Sequence, residues 1–142
     1  MLLACPPQEA VRLALLAAED QRLPARDAVA YQHWAQTAQA LEHTAIATVY
    51  ARTSHRLTAG LPWQALQPGK QAPAQFVFDR GHLQPSDDTQ QGLMAFVVSD
   101  CRTDRQALEQ QVLEQARQQL GWQDIQAVLT VVEKRATFAC RP

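Results

Sequence analysis

Positive charge is neither abundant nor clustered in this chain. Thirteen Lys and Arg against fourteen Asp and Glu leave a formal charge of −1. No segment offers the concentrated basic face that a nucleic-acid backbone requires. Glycine is scarce as well. The five glycines stand singly, so neither G-x-G-x-x-G nor G-x-x-x-x-G-K-[ST] occurs, and no phosphate cradle of either kind is written in the sequence. Cys5, Cys101 and Cys140 are widely separated and odd in number. They make no disulfide framework and no CxxC, and a reducing cytoplasm is the default reading. His33, His43, His55 and His82 never fall at H-x-x-x-H spacing, so no metal site is expected. The longest purely apolar run, residues 13–18, falls far short of the ~20 residues that span a bilayer. Met1 is followed by Leu-Leu-Ala-Cys, without the basic stretch that opens a secretory signal.

What remains is an ordinary globular composition, 46% apolar over 142 residues, enough for one domain with its own core. Residues 2–5 read as a short buried strand stopped by Pro6-Pro7. A helix follows over 7–19, with Ala10, Val11, Ala14, Leu15 and Ala18 at three- and four-residue steps. A second helix, 25–41, is rich in Ala and Gln, with Trp34 expected as a core anchor. TAIATVYAR at 44–52 is β-branched and alternates. Ile46, Thr48 and Tyr50 point one way, and Ala47, Val49 and Ala51 the other. Residues 53–74 are irregular, with a short strand embedded near 61–66. Residues 75–79 form a strand, turned by Arg80-Gly81, and 84–91 a polar loop. GLMAFVVS at 92–99 is continuously apolar, as in a strand covered on both faces. Thr103 and Gln106 have capping-box spacing and open a helix with Leu108, Val112, Ala116 and Leu120 on one face and Gly121 at its end. A last strand runs from Ile125 to about Lys134. The sum is α+β: a mixed, largely antiparallel sheet of about five strands with about three helices on one side.

Chemistry is hard to find in these elements. Ser54 and His55 are adjacent, but no elbow motif surrounds Ser54. Asp87-Asp88 reads as a solvated turn, and Cys101 and Cys140 as small buried residues. No catalytic residue is assigned. Both ends look cut: MLLAC begins on an apolar strand, and VVEKRATFACRP at 131–142 passes through charge into small and aromatic residues. The expectation is an interior piece of a larger protein. Apolar surface uncovered at residues 1–5 and along the strand toward Cys140 would then associate, giving a homodimer by strand pairing at a sheet edge.

Several stretches together resemble one family. LLACPPQEAVRL at 2–13 is similar to the strand, proline pair and helix with which flavin amine-oxidase-type proteins enter their substrate domain. TAIATVYAR at 44–52, FVFDRGHL at 76–83, GLMAFVVSD at 92–100 and EKRATFAC at 133–140 resemble the squalene-associated FAD-dependent desaturases of hopanoid synthesis. These are also described as hydroxysqualene dehydroxylases, and are related to phytoene desaturases. The resemblance covers essentially the whole chain, and FDRG and EKRATFAC are its most specific parts. The family's N-terminal dinucleotide fingerprint and its C-terminal Gly-Asp segment are missing.

The resemblance implies a substrate-binding domain whose parent holds FAD and acts on a C30 isoprenoid, with no cofactor expected on this piece alone. The implied partners are the isoprenoid and the missing FAD-binding domain of the same polypeptide. The implied location is cytoplasmic, peripheral to the inner face of the membrane in the parent. It places Tyr50 and Phe96 in the substrate wall. Lys134 and Arg135 fall where the motif approaches the flavin, where a cation would stabilise developing negative charge, with Phe138 near the cofactor. A solvated strand end is the other reading of the two cations, and plain core that of the two aromatics. A stand-alone α+β module binding a ligand or partner, and a fragment of another branch such as an amine oxidase or carotenoid desaturase, remain as alternatives.

Overall fold

Alternation in residues 44–52 and the continuous apolar run at 92–99 build the centre of the sheet. The computed structural model describes residues 4–57 and 60–139. Among the described residues the architecture is α+β, with four helices and a five-stranded antiparallel sheet. The chain divides into two compact units, residues 1–43 with 138–142 and residues 44–137.

The first unit is built on a helical hairpin. Pro6 caps α1, Pro7–Ala18, with Pro7 in its first turn, where a missing N–H costs nothing. Pro24 does the same for α2, Ala25–Gln39. Val11 and Ala14 of α1 bury against Ala35, with Ala38 beside it. Small side chains dominate this contact. Trp34, expected in the core, is instead 46% exposed. It lines a groove of about 470 Å³ together with Leu13, Leu23, Asp27 and Tyr31. The alanines already fill the helix contact, which leaves the indole at its rim. Of the expected first strand, residues 2–3 lie outside the described residues, and Cys5 sits in a bend.

The second unit carries the sheet, in the order β2-β3-β4-β1-β5. Its strands are β1 His43–Arg52, β2 Trp63–Ala65, β3 Phe76–Asp79, β4 Leu93–Ser99 and β5 Gln126–Phe138; His43 and Phe138 themselves count with the first unit. One face is covered by α4, Arg105–Leu120. Ala47, Val49 and Ala51 of β1, Val77 of β3 and Met94, Phe96 and Val98 of β4 pack there with Leu108, Val112 and Ala116 of α4. Leu57, Leu66 and Ala74 close the same core from the irregular segment. Gly121 ends α4 with φ +74°, the left-handed conformation glycine adopts without strain.

Element ends shift by one or two residues from the sequence reading, and three differences have a clear physical reason. Asp104, not Thr103, caps α4, its carboxylate accepting from the N–H groups of Gln106 and Ala107. Arg80-Gly81 is not a simple turn but part of a one-turn helix, α3 Arg80–Leu83, capped by the Asp79 side chain. The last strand continues past Lys134 to Phe138. Charge at 133–135 does not end it, because both faces of an edge strand reach water there.

Candidate functional site: the sheet face opposite α4

Cross-strand register decides which side chains share a face. Val49 stands opposite Phe96, and Phe96 opposite Val77; this row points at α4. The next row, Trp63, Phe78, Ala95 and Tyr50, points the other way. So does the row Ala65, Phe76, Val97 and Thr48. Trp63 and Phe76 meet edge to face, ring centroids 6.0 Å apart, and are 47% and 40% exposed. Phe78, Tyr50, Val97 and Ile46 are half-buried. Thr130 of β5 faces α4, since its hydroxyl donates to Glu109 at 2.7 Å. By alternation Leu129 and Val131 extend the opposite face. The result is an apolar surface with four aromatic side chains spread over β1, β2 and β3.

Tyr50 therefore lies on this face. Phe96 does not, and its expected place in a substrate wall is corrected: its side chain is fully buried and edge-on to Trp122, centroids 6.5 Å apart. Trp63, Phe76 and Phe78 were not singled out by the sequence reading. The F-V-F alternation at 76–78 was their available signal. Lys134 and Arg135 stand exposed near the end of β5. Among the described residues neither side chain forms an ion pair, and the Arg135 N–H donates to Glu133 Oε1 at 3.1 Å. Phe138 tilts against His43 at 4.9 Å between centroids. It falls in the first unit and the two cations in the second.

The residues behind the FDRG resemblance have structural work in this chain. Asp79 is 3% exposed and accepts from the His82 N–H at 3.0 Å. A Cβ at Gly81 would lie 3.1 Å from the Gln90 carbonyl oxygen. Gly92, the first residue of GLMAFVVSD, has φ +68°, and a Cβ there would lie 2.6 Å from the Thr53 carbonyl oxygen. Arg52 holds the same loop by donating to the carbonyls of Gln91 and Thr89 at 3.0 and 2.9 Å.

Ser54 and His55 do meet a carboxylate, but not as a hydrolase triad. Asp124 accepts from the Thr53 hydroxyl at 2.6 Å and from the Ser54 N–H at 2.7 Å. His55 Nε2 lies 3.6 Å from the same carboxylate, with its ring stacked on Trp122. The Thr53 hydroxyl first, then the Ser54 hydroxyl and N–H, hold the Asp124 carboxyl well below the usual carboxylate range. The carboxylate ties the end of β1 to the approach of β5. A group with a depressed folded pKa stabilises above its unfolded value, near 3.9, and loses that contribution as pH falls toward the folded value. Asp124→Asn keeps an acceptor for Thr53 but not one for Ser54 as well. We expect a lower urea midpoint for the variant at pH 6, and a narrower gap from the parent chain at pH 3. An equal gap at both pH values would remove the carboxylate from the account.

Among the described residues no group of three or more His, Cys, Asp or Glu is placed to hold a metal ion. Among the described residues the antiparallel sheet has no β-α-β turn of the kind that seats a dinucleotide pyrophosphate, so these residues do not fit the FAD-binding half of a flavoprotein. No family model, no curated protein and no solved structure matches the chain.

Proposed function

We propose that this chain is the substrate-binding part of an FAD-dependent oxidoreductase acting on a C30 isoprenoid of the hydroxysqualene or squalene type. The observation that supports it is the aromatic face of Tyr50, Trp63, Phe76 and Phe78. It turns away from the core and offers an elongated apolar chain a surface with few polar groups. The sequence resemblance over 44–52, 76–83, 92–100 and 133–140 supplies the family and the substrate class.

In this reading the flavin belongs to a separate half of the parent polypeptide. This chain holds the isoprenoid and is inactive alone. Lys134 and Arg135, exposed and without ion pairs among the described residues, are the cations that approach the cofactor, with Phe138 following them. The parent works in the cytoplasm and meets the inner membrane face peripherally to collect its substrate. No helix among the described residues is long and apolar enough to cross a membrane. The separated chain associates with a second copy of itself.

The visible flavin spectrum tests the reading. This chain and the longer reading frame around it are purified in parallel. We expect a colourless chain and a yellow longer protein that turns over an isoprenoid. Stoichiometric flavin on this chain alone would overturn the division of labour. A longer protein without flavin would overturn the family, leaving a stand-alone binding module. A yellow protein that oxidises amines or carotenoid precursors instead would move it to another flavin branch.

A further inference from the structure

Among the described residues β5 ends the sheet, paired with β1 alone. An edge strand presents a row of main-chain donors and acceptors to any strand that can lie beside it. This edge is unusually apolar at its centre. Val128, Leu129, Val131 and Val132 are 58%, 53%, 49% and 36% exposed, while Thr130 between them is 2% exposed. Its hydroxyl is held by Glu109 at 2.7 Å. The segment thus has a fixed centre and exposed apolar flanks.

The order Val-Leu-Thr-Val-Val is nearly the same read from either end. That matters for pairing with an identical chain. Two copies that join edge to edge as one antiparallel sheet are related by a two-fold axis perpendicular to it, and an isologous contact of this kind pairs each residue with its mirror position about the axis. An axis at Thr130 sets Val128 against Val132 and Leu129 against Val131, apolar on apolar at all four exposed positions. Shifting the axis to Val132 sets Leu129 against Arg135 and Val131 against Glu133. An axis at Lys134 sets that lysine against its own copy, and like charges directly opposite repel. With the axis at Thr130, Glu133 meets Ala127 and Lys134 meets Gln126, so no charge faces its like. The charged residues 133–135 then mark the ends of the paired region.

We propose that two copies of this chain pair antiparallel along β5 with the two-fold axis at Thr130, making one continuous sheet. The inference rests on the self-association in the preceding reading and not on the flavin. It adds the surface and the register. The joined sheet brings the two faces bearing Leu129 and Val131 side by side.

Disulfide trapping tests the register. Cys5, Cys101 and Cys140 are replaced by serine, and Val128→Cys and Val132→Cys are made separately in that background, both at exposed positions. Mixed in equal amounts under mild oxidation, the two variants should form a covalent heterodimer, because the cysteines lie directly opposite. Val128→Cys alone should not, since its copies stand four residues apart, roughly 13 Å at ~3.3 Å per residue. Light scattering of the unmodified chain should give a dimer that Leu129→Lys converts to monomer. A monomer at every concentration overturns both the association and the register. A dimer in which the mixed pair cross-links no better than Val128→Cys alone overturns the register and leaves the association standing.

Discussion

Phe96→Ala should destabilise the second unit by about 3–5 kcal/mol, the range for truncating a fully buried phenylalanine. Phe96 has no exposed surface. It stands between Val49 and Val77 across the sheet and edge-on to Trp122. α4 and the Trp122 segment are fixed by their own contacts, so the space cannot collapse, and the cavity cost adds to the lost transfer energy. Tyr50→Ala, on the same sheet and one residue from Val49, should cost much less, because its half-buried side chain already shares its surface with water. The two variants separate structure from function. Urea unfolding should show a large drop in midpoint for Phe96→Ala and a small one for Tyr50→Ala. If the proposed function holds, isoprenoid binding by the longer protein should show the reverse order among molecules that remain folded. Equal losses of stability would mean that the Tyr50 face is as closed as the core, and the substrate wall would have to be sought elsewhere.

That contrast also shows where the sequence was legible. Alternation in TAIATVYAR separated the two faces of β1, and the structure keeps the division. It could not say which face is the core. The face of Ala47, Val49 and Ala51 looked slight, yet small side chains on β1 leave room for Leu108 and Val112 of α4 in the same cluster. In β4 the difficulty was greater. A continuous apolar run has no period of its own, so Phe96 and Ala95 could be sorted only through their partners Val49 and Tyr50. The core anchors of the irregular segment, Leu57, Leu66 and Ala74, follow no repeat and are set by tertiary contact alone. The cap of α4 was misplaced by one residue because Thr103 and Asp104 are both good caps, and only the geometry shows which carboxylate or hydroxyl reaches the first turn. Trp63 gave almost no signal, standing in a strand of three residues. The resemblance identified FDRG as a specific motif, but its residues here explain a capped turn and a close backbone approach rather than a reacting group.

Gln115→Ala should be nearly as costly as the loss of Phe96, about 3 kcal/mol or more. Position 115 is three after Val112 and seven after Leu108, which puts this glutamine on the inner, otherwise apolar stripe of α4. The side chain is 1% exposed and acts as a substitute strand. Its Oε1 accepts from the Ala74 N–H at 2.8 Å, and its Nε2 donates to the Ala74 carbonyl at 2.9 Å. Ala74 is fully buried, so truncation leaves both of its main-chain groups without partners or water, at about 1–3 kcal/mol each. Gln119, one turn later, repeats the pairing on Gln67, accepting from its N–H at 3.0 Å and donating to its carbonyl at 2.8 Å. Gln67 is exposed, so water replaces the lost partner and Gln119→Ala should cost about 1 kcal/mol or less. Gln115→Glu sharpens the test. The carboxylate still accepts from the Ala74 N–H but turns its other oxygen toward the Ala74 carbonyl. A buried carboxylate facing an acceptor has its folded pKa raised, so this variant should regain stability as pH falls toward 4 and the group takes up a proton. If Gln115→Ala and Gln119→Ala unfold at the same urea concentration, burial of the Ala74 peptide is not what makes the inner glutamine matter, and α4 holds the irregular segment through its apolar contacts alone.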